Sequence, residues 1–188
     1  MTGLFFGSFN PIHSAHLKIA EYFIANTAIE DVSFIVSPQN PFKSDNSLLD
    51  TALRLELVAL AVEDNPKLTC SDVELSLPSP SYTVHTLEHL RSLHPDCNYC
   101  IIMGTDNLQN FEQWKDFQFI LDNYQLYVYP RRGSDGGNLK EHPNVHLIDS
   151  PLLEVSASEI REQLSSEEAK KWLPEKVHEK ILKEGYYL

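Results

Sequence analysis

The stretch GSFNPIHSAHL, Gly7 to Leu17, holds two histidines three residues apart, His13 and His16, behind a glycine and a proline. The apolar run LFF precedes it, and LKIAEYFIA, with helix-like spacing, follows. Gly7 allows a close approach of backbone to ligand, and Pro11 stiffens the loop. A helix beginning near Ser14 turns its free N–H groups and the positive end of its dipole into the same space. His13 stands just before that helix and His16 in its first turn, so both imidazoles can be aimed at an anion bound there. One histidine alone reads as readily as a cap or a filler of a surface gap; the arrangement as a whole fits phosphate.

A second stretch has related chemistry. In VSASEIR, Val155 to Arg161, Ser156 and Ser158 precede a helical run and offer hydroxyls and N-terminal N–H groups to phosphate. Arg161, about a turn into that run, can supply a forked pair of donors. Read alone, the segment is an ordinary serine-capped helix with a surface arginine. Lys43, in SPQNPFK, is either a solvated lysine or a cation that a loop brings over phosphates. Nothing reads as a Ser-His-Asp or Cys-His set for covalent catalysis, and no carboxylate cluster marks a protein-built metal cage. Cys97 and Cys100 form a C-x-x-C with no second pair to complete a zinc site, so the three cysteines read as plain thiols.

The elements that must hold these groups alternate strand and helix. Strands are expected at 2–6, 31–37, 98–103, 124–129 and 145–149, with a weaker one near 68–75. Their cores, such as VSFIV and YCIIM, are short apolar runs of the kind found in buried parallel strands. Helices are expected at 14–26, 49–64, 83–94, 113–122, 157–165 and 175–184, with Asp50 available as an N-cap. That order predicts an α/β fold: a Rossmann-like, doubly wound parallel sheet with helices on both faces. In such a sheet, ligands bind beyond the carboxyl ends of the strands, where residues 7–13 form the first βα turn. SPQNPFKSDNS, Ser37 to Ser47, and the polar, Gly-rich Arg131 to Asn144 read as loops. The 188 residues fit a single domain, 1–188, with a helical C-terminal segment from about 157.

Composition bounds the partners. A formal charge of −12, from 15 Lys and Arg against 27 Asp and Glu, argues against a nucleic-acid or membrane surface. It leaves an anionic small molecule, provided the few cations gather at one site. No apolar run approaches a membrane span and no signal peptide is read at the N-terminus, so a reducing, cytoplasmic setting is expected. A homo-oligomer is left open.

GSFNPIHSAHL resembles the G-S/T-F-D/N-P-x-H-x-G-H-L motif of the nucleotidyltransferases that share the HxGH site. It departs at Ala15, where glycine is usual, which predicts a slightly tighter fit around the phosphates. VSASEIR is similar to their I-S-S/A-T-x-I-R, with Ser158 for threonine. GTDNLQNFEQWKDFQFILDNYQLYVYPRRG, Gly104 to Gly133, resembles the nicotinate-nucleotide adenylyltransferase segment G-x-D-x-L-x-x-F-x-x-W, ending in R-x-G. PSYTVHTL, Pro80 to Leu87, looks like that family's P-S-Y-T-x-x-T-L, and LPEKVHEKILKEGYY is similar to its closing motif, with Lys180 where tyrosine is common. The resemblance covers nearly the whole chain.

It implies transfer of the adenylyl group of ATP to nicotinate mononucleotide, giving deamido-NAD and pyrophosphate, with Mg²⁺ bound mainly through the ATP phosphates. It implies that His16 contacts the phosphates at the reacting centre, that His13 supports it, and that Lys43 and Arg161 join them. Gly7, Ser8, Phe9, Gly104, Asp106, Ser156 and Ser158 then belong to the ATP side, Asp106 accepting from ribose hydroxyls. Tyr82, Thr83, Thr86, Trp114 and Arg131 belong to the nicotinate side, Trp114 stacking on the ring and the threonines binding its carboxylate. From the residues alone, Trp114 is as plausible in a core or lid, Thr83 as a helix cap, and Arg131 and Arg132 as loop anchors. The rival readings are an adenylyltransferase acting on nicotinamide mononucleotide or phosphopantetheine, and a non-catalytic nucleotide-binding module.

Overall fold

The computed structural model describes residues 1–38, 48–152 and 155–187. Six parallel strands form one sheet in the order β3-β2-β1-β4-β5-β6. They are β1 (Thr2–Gly7), β2 (Asp31–Val36), β3 (Leu68–Ser71), β4 (Tyr99–Gly104), β5 (Gln125–Tyr129) and β6 (Val145–Leu147). The expected doubly wound sheet is therefore present, and its order reverses between β1 and β4. At that switch the connections leave in opposite directions and open a crevice at the strands' carboxyl ends.

Side chains alternate across each buried strand, so every strand feeds both layers. Leu4, Ile35 and Ile101 face one apolar cluster, with Val84 and Leu87 of α3 (Thr83–Leu93) and Ile120 of α5 (Phe117–Asn123). Phe5, Phe34 and Ile102 face the other, with Phe23 of α1 (Ser14–Asn26), Leu57 of α2 (Thr51–Val62) and Ile181 of α8 (Glu175–Glu184). The remaining helices are short: α4 (Thr105–Gln109), α6 (Ala157–Glu162) and α7 (Glu167–Trp172).

The strand expected near 68–75 ends at Ser71, before a 3₁₀ turn over Val73–Ser76, and the one expected at 145–149 ends at Leu147. Two helix boundaries differ for local reasons. The helix expected from 113 begins at Phe117, because Trp114 is extended (ψ 145°) and Asp116 is left-handed (φ 51°). The run expected over 157–165 stops at Glu162, and Ser166 then caps α7 by accepting from the Ala169 N–H. Asp50 caps α2 as its sequence position suggests, accepting from the Ala52 N–H at 2.9 Å. The 131–144 loop is not a free excursion: Ser134 donates to Gln109 of α4 at 2.7 Å, and Lys140 pairs with Asp135. Among the described residues, no helix is long and apolar enough to cross a membrane.

Candidate active site

A cleft of about 560 Å³ lies over the carboxyl ends of β1 and β4, at the switch point. It brings together most of the residues singled out from the sequence. Gly7, Ser8, Phe9, His13 and His16 line one wall, Ser156, Ser158 and Arg161 a second, and Asp106 and Arg131 a third. Tyr82, Thr83 and Trp114 line a further stretch of it. Gly104 closes β4 but does not itself line the cleft. Lys43 lies outside the described residues.

The two histidines form one unit. Their rings stack with centroids 3.7 Å apart, and the His13 backbone N–H donates to His16 Nδ1 at 3.3 Å. An accepting Nδ1 places the proton of the neutral His16 ring on Nε2. Phe5 and Phe9 meet the His16 ring edge-on, at 5.9 and 5.1 Å. Phe9 holds a left-handed backbone (φ 45°), a conformation that costs a non-glycine residue free energy and that clusters at ligand sites. His13 is buried, and its Nδ1 has no hydrogen-bond partner among the described residues.

Burial first, then the Arg131 charge, brings the His13 imidazole down to about 3. His16 is lowered well below its ordinary 6.5, by burial, then His13, then Arg131. Both rings are therefore neutral at neutral pH. Because each folded-state pKa lies below the unfolded one, the unfolded chain binds more protons as pH falls. The stability carried by the neutral rings is complete above about pH 6.5 and is lost progressively below it. Urea titrations between about pH 7 and pH 4 should show the unfolding free energy falling by roughly 1.4 kcal/mol per pH unit for each ring that stays neutral. His13→Gln should remove one ring's share; an unchanged slope contradicts the burial of a neutral His13.

The structure modifies several single-residue expectations. Space above Gly7 is filled by the Phe9 ring, which an added Cβ would meet at 2.8 Å. Gly104 likewise makes room for protein: a Cβ there would lie 2.6 Å from Arg131 Cγ and against the Asp106 carboxylate. Ala15 packs into the apolar cluster and does not line the cleft, so its methyl does not narrow the cleft as expected. Thr86 is wholly buried and absent from the cleft wall; its hydroxyl donates to Glu74 Oε1 at 2.9 Å. The α6 N-terminus already has a carboxylate. Glu159 Oε2 accepts from the Ser156 N–H at 2.8 Å and the Ser156 hydroxyl at 2.7 Å.

Arg161 reaches across the fold. Its Nη1 donates to the Asn10 carbonyl at 2.6 Å and its Nη2 to Ser158 Oγ at 3.1 Å. Arg131 pairs loosely with Asp106, at 3.9 Å, and its backbone N–H donates to Thr105. The Thr83 cap reading is replaced: Tyr82 occupies the N-cap of α3 and makes no side-chain cap bond, so this helix end faces the cleft uncapped. Trp114 packs on Phe111 at 5.0 Å in a tilted contact and also lines the cleft, so it borders both the apolar cluster and the site.

Two polar residues at this site escaped the sequence reading. Glu74, only 2 % exposed, lines the cleft with Oε2 unpartnered among the described residues. Burial pushes its carboxyl up, against the hydroxyls of Ser37, Thr86 and Ser81. Arg54 lies just beneath the first turn and donates to the Ser8 carbonyl. Each is a charge set among apolar or small neighbours, and that pattern is the one signal that could have marked them.

The model of the cytidylyltransferase-like family matches residues 4–163. A protein of Cytophaga hutchinsonii described as a probable nicotinate-nucleotide adenylyltransferase is 47 % identical over 186 residues, spanning 98 % of this chain and 97 % of that protein. The chain belongs to the nicotinate-nucleotide adenylyltransferase family. A second member, from Flavobacterium johnsoniae and described in the same words, is 42 % identical over 188 residues, spanning 98 % of this chain and 97 % of that one. The family's fold is shared with a solved Plasmodium falciparum nicotinic acid mononucleotide adenylyltransferase complexed with NaAD. That structure has a TM-score of 0.83 and 22 % identity, over 99 % of this chain and 96 % of the other.

Proposed function

We propose that the protein transfers the adenylyl group of ATP to nicotinate mononucleotide, forming deamido-NAD and pyrophosphate in NAD biosynthesis. The observation that carries the reading is the meeting of two distant motifs in one cleft: Arg161 donates to the Asn10 carbonyl, 151 residues away. A phosphate oxygen of the mononucleotide attacks the α-phosphorus, a new P–O bond forms in line, and the bond to pyrophosphate breaks. No covalent protein intermediate is needed, so positioning and charge stabilisation supply the rate.

His16 is well placed for that work. Its neutral ring offers Nε2–H to oxygens of the α-phosphoryl group, where negative charge grows in the transition state. His13, stacked on it at 3.7 Å, holds that ring in place. Arg161 fixes the turn's carbonyl side, and Arg131 and Lys43 supply further positive charge, Lys43 from the segment after β2. Asp106 of the cleft is paired with Arg131 and the guanidinium groups repel a cation, so Mg²⁺ would enter on the triphosphate. When bound, it shares the charge of the leaving pyrophosphate.

At the acceptor end, the free face of Trp114 suits stacking of a pyridine ring. Thr83, Tyr82 and the uncapped N–H groups of α3 suit its carboxylate. Thr86 acts at one remove, through Glu74. Asp106, half-exposed at the start of α4, is free on its outer side to accept from ribose hydroxyls. The same proposal treats the chain as one nucleotidyltransferase domain working in the cytoplasm. Incubation with ATP, Mg²⁺ and nicotinate mononucleotide should release pyrophosphate in step with the dinucleotide. A folded protein that binds ATP but releases none contradicts the proposal.

A further inference from the structure

Arg54, near the start of α2, is fully removed from solvent, at 0 % exposure. Its fork is saturated. Nε donates to the Leu49 carbonyl at 2.8 Å, Nη1 to the carbonyls of Ser8 at 2.5 Å and Ser37 at 2.9 Å, and Nη2 to the Pro38 carbonyl at 3.1 Å and the Thr51 hydroxyl at 2.9 Å. Ser8 belongs to the turn after β1, and Ser37 to the segment after β2; both line the cleft. One guanidinium thus ties together the two backbone segments that leave neighbouring strands at the site.

Every one of these acceptors is neutral. Asp50 influences Arg54 only at a distance, and the nearby Tyr187 hydroxyl is itself buried and held in its neutral form. A cation taken out of water is costly to keep, and neutral carbonyls return less than a carboxylate would. Among the described residues no carboxylate pairs with this charge, and an anion arriving above the turn would face it. The peptide geometry points the same way. In the planar Ser8–Phe9 peptide, a carbonyl drawn toward Arg54 turns the Phe9 N–H to the opposite side, that of the cleft.

We propose that Arg54 is a positioning residue for the triphosphate: it orients the peptides of the first turn and supplies standing positive charge beneath them. This rests on the reading of the cleft as a phosphate site. The role also accounts for how a chain of formal charge −12 receives two anionic substrates. The cations that matter are few, and this one is hidden from the acidic surface.

The test uses inorganic pyrophosphate, with adenosine as the uncharged control, and reads the rise in unfolding temperature that each produces. In the unaltered protein both should raise it. Arg54→Gln should lose at least half of the pyrophosphate-induced rise and keep that of adenosine. Arg54→Lys keeps the charge but not the fork, so it should retain the pyrophosphate rise while kcat falls about tenfold or more through misplaced turn peptides. A variant that merely weakened the fold would start from a lower midpoint and still show the full rise. A full rise in Arg54→Gln therefore overturns the role of Arg54, and so does failure of both variants to fold, which would assign the residue to the scaffold. No rise in the unaltered protein would instead overturn the phosphate reading of the cleft.

Discussion

His16→Ala is expected to lower kcat by about 10²–10³ without loss of folding, the scale of removing one preorganised transition-state donor. The ring is held on three sides, by His13 in a stack and by Phe5 and Phe9 edge-on, so its Nε2–H is fixed before substrate arrives. Donors that need no reorganisation stabilise developing charge far better than mobile ones. The ring touches the sheet's apolar clusters only through Phe5 and Phe9, so its removal should leave the rest of both clusters in place. The loss should appear in kcat more than in KM, since the bond to the α-phosphoryl group strengthens in the transition state. Steady-state pyrophosphate release, with circular dichroism to confirm folding, measures it. A decrease of less than about fivefold would remove His16 from the reacting centre.

Arg161→Ala is expected to reduce kcat/KM by roughly 10², through a different route. The guanidinium joins α6 to the Asn10 carbonyl, and Asn10 in turn accepts the Leu49 N–H through Oδ1 at 3.0 Å. Loss of the fork frees the second wall of the cleft from the first. A displacement of about 1 Å at a reacting group is enough for a loss of that size. Arg161→Lys keeps charge but cannot reproduce two directed bonds, so it should recover only part of the activity. If Arg161→Ala matched the unaltered protein at saturating and limiting ATP, the bond to Asn10 would be incidental.

The sheet was legible because its strands are short apolar runs and its helices carry a helical apolar period. β1 and α1 in particular have their order and extent written in TGLFFG and in the polar turn that separates them. Boundaries failed where a single backbone angle decided them, as at left-handed Asp116, which propensity does not foretell. That the two motifs would line one cleft was legible from their spacing. The occupants of the space around them were not: the Phe9 ring over Gly7 and the Glu159 carboxylate on Ser156 arise from packing and from local hydrogen-bond competition. Arg54 escaped because a charge in an amphipathic helix is read as solvent-facing, although it lies three and four residues before the buried Leu57 and Val58. Thr86 was assigned to the ligand because the sequence shows its hydroxyl but not Glu74, which claims it.

The most direct test of the account is the acceptor. Pyrophosphate release should be measured with ATP and Mg²⁺ and, in parallel, nicotinate mononucleotide, nicotinamide mononucleotide and phosphopantetheine. Donors at Thr83 and the uncapped end of α3 should favour the carboxylate, giving the nicotinate form an advantage of about 10²-fold or more in kcat/KM, roughly 2.7 kcal/mol. Equal use of the two mononucleotides would keep the adenylyl transfer and contradict the assignment of the acceptor end to a carboxylate.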